Sequence, residues 1–210
     1  MDNLLDLWRL RIDHYLIIDN FFPDNVCKHL RDLSMELTSR QTLYDMEHRD
    51  YKSVDFDSMG TFNSWTGLSL KEIVDKYVNP KIRVRGKSSY QRGWSFVYNN
   101  VARGVLVHTD PSFLNINLWV TPDESVEDHN KNGLIIYQKR YSHSSDIDYS
   151  PGEPSNDFVD SFLEDAKCAI IPYKYNRAVI FRGDTFHSTD HVHMKPGDEN
   201  KRVSYTFLYY

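Results

Sequence analysis

The chain has 210 residues, of which 40% are hydrophobic and 14% aromatic, a composition that fits one globular domain and excludes a disordered chain. Its 25 Lys+Arg against 30 Asp+Glu give a net charge of −5, which excludes a nucleic-acid binder working through a broad basic face. The two cysteines, Cys27 and Cys168, exclude a disulfide framework and a thiolate zinc site, so a metal here has to rest on the nine histidines and the carboxylates.

From the N-terminus, acidic residues break the apolar run of Met1 to Arg9 too early for a signal peptide. No stretch approaches the roughly 18–20 apolar residues of a membrane span, so a cytoplasmic protein with reduced cysteines is expected. Tyr15 to Phe22 reads as a strand. Pro23-Asp24 then opens a helix, with Asp24 as its N-cap. Val26, Leu30, Leu33 and Leu37 recur at helical spacing and form one apolar face. Residues 39–66 show no period. Leu68 to Val78 is a second helix, ended by Asn79-Pro80.

From residue 81 the pattern turns to strands. Lys81 to Arg85, Trp94 to Tyr98, Gly104 to Asp110, Phe113 to Val120, Leu134 to Tyr137, Ala169 to Pro172, Ala178 to Phe181 and Arg202 to Tyr209 are short β-rich runs between turn signals. Two polar inserts interrupt them, at 121–132 and at 141–166, the second with a short helix near Asp157 to Glu164. Helices followed by many short strands define an α+β fold. Residues 1–80 would supply a helical support, and 81–210 an antiparallel jelly roll (a double-stranded β-helix), in a single domain spanning 1–210.

Three segments carry chemistry. In Val105-Leu106-Val107-His108-Thr109-Asp110 the period of two puts His108 and Asp110 on one face, an imidazole and a carboxylate side by side. His187 follows the apolar run Ala178 to Phe181 and a glycine turn, and supplies a third ligand from a distant strand. Two histidines and one carboxylate with open positions make the facial triad of non-haem Fe(II) oxygenases, although zinc accepts the same donors. His191 and His193 alternate with His187 and rival it as ligand. In Lys201 to Phe207, Arg202, Ser204 and Thr206 share one face, and Val203, Tyr205 and Phe207 the other. An inward Arg202 calls for an anion, whereas an outward one is solvated. Asn115 and Asn117 also share a face, which points to a polar cavity with Asn117 touching what fills it.

The motifs His108-Thr109-Asp110, Phe186-His187-Ser188-Thr189-Asp190 and Arg202-Val203-Ser204, in this order, resemble those of the 2-oxoglutarate- and Fe(II)-dependent dioxygenases, in the prolyl-hydroxylase-like branch. Leu118 to Asp123 and Gly133 to Tyr137 resemble bacterial and phage oxygenases, and Ile17 to Pro23 resembles their opening. The resemblance implies that His108, Asp110 and His187 bind Fe(II) and carry catalysis. It implies that Arg202 pairs with the distal carboxylate of 2-oxoglutarate, assisted by Ser204, with Tyr98 and Asn117 in contact with cosubstrate or substrate. The implied reaction uses O2, with ascorbate as reductant, and hydroxylates a C–H bond while releasing succinate and CO2. Asp110 stands where related halogenases lack a carboxylate, which favours oxygen transfer.

The chain departs from the family pattern in a longer gap between His187 and Arg202, where Lys195 to Asn200 add a turn. Lys195 and Lys201 are therefore alternative anion partners. A peptide residue or a small molecule is the expected substrate, with no nucleic acid or membrane expected as partner. Acidic Asp123, Glu124, Glu127 and Asp128 would suit a basic one if the inserts line the mouth. Two other readings stand beside this one: a metal-free jelly-roll binding module, and a zinc or manganese cupin-type isomerase or hydrolase that ignores 2-oxoglutarate.

Overall fold

The strands at the centre of the main sheet bury both of their faces. The computed structural model describes residues 5–6, 15–40, 50–56, 70–83, 90–140, 161 and 163–210. In chain order these form β1 (Leu5–Asp6), β2 (Leu16–Ile18), α1 (Asp24–Arg40), β3 (Tyr51–Asp55) and α2 (Leu70–Ile73), which runs on into a π-helical turn over Val74–Val78. β4 (Ile82–Arg83), β5 (Tyr90–Tyr98), β6 (Val101–Ala102), β7 (Leu114–Trp119) and β8 (Leu134–Arg140) follow. β9 (Cys168–Ile171), β10 (Ala178–Arg182), β11 (Thr185–Thr189), β12 (Val192–His193) and β13 (Val203–Tyr209) complete the series.

Six strands make an antiparallel sheet in the order β2-β10-β7-β13-β5-β3, and three make a second sheet, β11-β8-β9. One face of the large sheet carries Leu114, Ile116 and Leu118 of β7, Ala178 and Ile180 of β10, and Val203, Tyr205 and Phe207 of β13. These pack in one cluster with Val26, Cys27, Leu30 and Leu33 of α1 and with Leu70 to Val78. Each large apolar side chain so buried contributes about 1.5–3 kcal/mol, so this face supplies a core of its own. On this face Tyr205 donates to the Leu30 carbonyl (2.8 Å) and meets the Ser34 hydroxyl at 2.7 Å. The opposite face carries Trp119, Val179, Phe181 and Tyr98, which pack with Leu134 and Ile136 of the second sheet. On that face also lie Asn115, Asn117, Ser204, Thr206 and, just before β13, Arg202.

The expected helical layer and jelly roll are both present, with differences in detail. Asp24 is the first helical residue, not the cap: the Pro23 carbonyl accepts the Cys27 N–H (3.2 Å) as the first helical hydrogen bond. The opening strand is confined to Leu16–Ile18. β3 arises inside the stretch without period, because as an edge strand it buries only Val54 and so shows no alternation. Residues 104–110 do not form a strand; the only pairing there is an isolated bridge between His108 and His187. Gly104 at φ +79 bends this segment off β6. Of the 141–166 insert and its expected short helix, only 161 and 163–166 fall among the described residues. No helix among the described residues is long and apolar enough to cross a membrane.

Candidate functional site

The bridge places His108 without a strand. The His108 N–H donates to the His187 carbonyl (3.0 Å), and the His187 N–H donates back (2.9 Å). The two rings stand 4.2 Å apart between centroids. Asp110 is brought alongside by a second backbone bond, its N–H donating to the Gly183 carbonyl (2.9 Å) in the β10–β11 turn. The expected trio therefore converges: Asp110 Oδ1 is 3.8 Å from His108 Nε2, and Oδ2 is 3.4 Å from His187 Nε2. One ligand atom from each lies within 4.8 Å of the others.

Both imidazoles are committed at Nδ1, which meets the Leu106 carbonyl in His108 (2.7 Å) and the Thr185 carbonyl in His187 (2.9 Å). A carbonyl can only accept, so each Nδ1 holds a proton, and it is Nε2 that presents the lone pair of the neutral ring. Two lone pairs and a carboxylate then face one another in a buried place, an arrangement that a cation stabilises. Burial, with help from the neighbouring His187, pushes the His108 imidazole down to about 4 against the pull of Asp110, which keeps it neutral and able to ligate. Burial also pushes the Asp110 carboxyl up. His187, His108 and Asn115 together outweigh it and hold the group below its ordinary value.

From the trio a narrow cavity extends across the sheet past Asn117, Thr206 and Ser204 to Arg202. Arg202 is 1% exposed, and its Nε donates to the Asn132 carbonyl (3.0 Å) at the end of the 121–132 insert. Its guanidinium lies 4.7 Å from the Tyr98 ring centroid, 5.7 Å from Tyr173 and 5.8 Å from Trp119. Among the described residues no carboxylate pairs with it and its buried Nη1 has no partner. The inward position thus prevails over the solvated one, while Tyr205 still lies in the core, because β13 is buried on both faces. An unpaired buried guanidinium is costly unless an anion meets it.

The other named residues divide. Ser204 lies beside Arg202 on the cavity floor, and Asn117 lines the cavity with its buried Oδ1 unpartnered. Tyr98 also lines it, but its hydroxyl is 3.3 Å from Thr189 Oγ1 and its ring braces Arg202. The rivals fall outside: the His191 side chain is 70% exposed, His193 is exposed, and Lys195 and Lys201 lie away from the cavity, Lys201 paired with Asp198. Sequence reasoning missed the bond from Asn115 to Asp110, the grip of Asn132 on Arg202 and the aromatic box of Trp119 and Tyr173. Only Asn115 left a trace in sequence, through the face it shares with Asn117.

No family model matches the chain, and no curated protein matches it by sequence. Solved structures do. The chain is similar to the non-heme alpha ketoglutarate dependent carbocyclase SnoK from nogalamycin biosynthesis (11% identity, TM-score 0.63, covering 93% of this chain and 78% of that one). It is similar to the epimerase SnoN in complex with Fe3+, alpha ketoglutarate and nogalamycin RO (10%, 0.60, 95% and 79%). It is also similar to a Trichoplax adhaerens prolyl hydroxylase in complex with a hypoxia inducible factor oxygen degradation domain peptide fragment (12%, 0.56, 94% and 84%). The fold is therefore the double-stranded β-helix of the 2-oxoglutarate/Fe(II) oxygenases. At such identities the likeness speaks for the fold, and the reaction has to be argued from side chains.

Proposed function

We propose that residues 1–210 form one Fe(II)- and 2-oxoglutarate-dependent oxygenase domain that hydroxylates a C–H bond of a peptide residue or small molecule. One observation carries this reading: three converging acceptors stand at one end of a cavity whose other end holds a buried, unpaired guanidinium. The first end suits a cation and the second a dianion's far carboxylate. His108 Nε2, a carboxylate oxygen of Asp110 and His187 Nε2 would hold the metal. When bound, Fe(II) with 2-oxoglutarate and O2 supplies the oxidising chemistry, with succinate and CO2 released. Arg202 Nη1 would pair with the distal carboxylate, and the Ser204 hydroxyl lies beside it. Tyr98, Trp119 and Tyr173 exclude water from that pair and so strengthen it. Asn132 holds Arg202 in place through Nε, which leaves Nη1 for the ligand. Asn117 offers an amide to cosubstrate or substrate.

A zinc or manganese isomerase would explain the trio but not Arg202, and a metal-free binding module would explain neither. Incubation with Fe(II), ascorbate as reductant and 2-oxoglutarate should give slow succinate formation without any added substrate. No succinate from protein with demonstrated metal binding would contradict the cosubstrate reading.

A further inference from the structure

Asp110 is gripped from behind. Asn115, 0% exposed on β7, donates from Nδ2 to Asp110 Oδ2, and the Ser112 hydroxyl donates to Asn115 Oδ1. The orientation of the amide is dictated at both ends, since a carboxylate only accepts and the NH2 must face it. The backbone fixes two of these three residues: Ser112 N–H donates to the Asp110 carbonyl (2.8 Å), and Asp110 N–H donates to that of Gly183 (2.9 Å). Gly183 allows this approach, because a Cβ there would lie 2.2 Å from the Ser112 carbonyl oxygen.

We infer that Asn115 is a positioning residue that keeps Asp110 a one-oxygen ligand. With Oδ2 held by the amide, Oδ1 is left for the metal. Without the amide the carboxylate can turn and chelate through both oxygens, closing a position that 2-oxoglutarate or O2 needs. The inference rests on the metal-centre reading above.

The test uses cobalt(II) as the probe, titrated into purified wild type, Asn115→Leu and Ser112→Ala, with visible ligand-field absorption and melting followed together. Asn115→Leu should bind cobalt about 10- to 100-fold more weakly, as changes behind a metal ligand do. At saturating metal its ligand-field spectrum should differ from wild type, and 2-oxoglutarate should bind the loaded variant less tightly. Ser112→Ala should show a smaller loss of the same sign. A purely structural role would lower the melting temperature and leave the saturated spectrum unchanged. A folded Asn115→Leu with wild-type affinity and spectrum overturns the inference. Where that variant does not fold, the same result in Ser112→Ala overturns it. A wild type that binds no cobalt overturns the metal-centre reading and this inference with it, whereas binding wild type with unchanged variants overturns the positioning role alone.

Discussion

In the central strands β10, β7 and β13 both faces of the six-stranded sheet are buried, and they differ in what they bury. On the helix side Val203, Tyr205 and Phe207 pack against α1 and α2, and even the Tyr205 hydroxyl is satisfied twice. One residue out of step, Arg202, Ser204 and Thr206 face a cavity where Arg202 Nη1 and Asn117 Oδ1 have no partner among the described residues. Burial alone therefore does not tell a core from a site. A fully buried charge with no carboxylate beside it does, because a fold retains that cost where a ligand removes it.

If this contrast is right, substitutions on the two faces of β13 and its lead-in should damage different properties. The largest effect belongs to the helix side. Phe207→Ala should cost about 3–5 kcal/mol in urea unfolding of the metal-free protein, the usual range for emptying a packed aromatic site. A cost under 1 kcal/mol would mean that this face is not a core. On the cavity side, Arg202→Met should weaken 2-oxoglutarate binding by about 2–5 kcal/mol in calorimetry of the metal-loaded protein. The same change should not lower stability without ligand, since it removes an unpaired buried charge. Loss of stability with unchanged affinity would reverse the assignment of the two faces.

A smaller effect is expected where β2 meets the turn before β10. There Arg177 holds Asp19 through Nε (2.7 Å) and Nη2 (3.1 Å), and Lys174 adds a bond at 2.8 Å. The Arg177 hydrogen bond, then that of Lys174, holds the Asp19 carboxyl well below the usual carboxylate range. The stabilisation is complete above the unfolded value of about 3.9 and is lost as the pH falls below it toward the lower folded value. Asp19→Asn should cost about 1 kcal/mol at pH 7, because the pair is partly exposed, and the gap to wild type should close in acid. A gap independent of pH would remove the carboxylate from the explanation. The smallest effect is none: His191→Ala and His193→Ala should leave metal affinity unchanged in a cobalt titration, and a tenfold loss in either would move the metal to the exposed pair.

Much of this could be read from the chain. Alternation in β7 and β13 separated two sets of residues correctly, and the face of α1 was visible in Val26, Leu30 and Leu33. Alternation could not say which set of β13 faced inward, because both do. His108 and Asp110 were paired for a reason that does not hold: no strand joins them, and the His108–His187 bridge and the Gly183 carbonyl bring them together. Asn132 and Tyr173 reach Arg202 from 70 and 29 residues away, through a backbone carbonyl and a ring face, and neither has a sequence pattern. β3 was hidden by its single buried side chain.

The central claim is that one end of this cavity holds a metal and the other a carboxylate. Crystals grown with manganese(II) and 2-oxoglutarate test both at once by anomalous scattering. The account predicts one anomalous peak within bonding distance of His108 Nε2, His187 Nε2 and a carboxylate oxygen of Asp110, with cosubstrate density running from it to Arg202. A peak at His191 and His193, or 2-oxoglutarate bound away from Arg202, would contradict it.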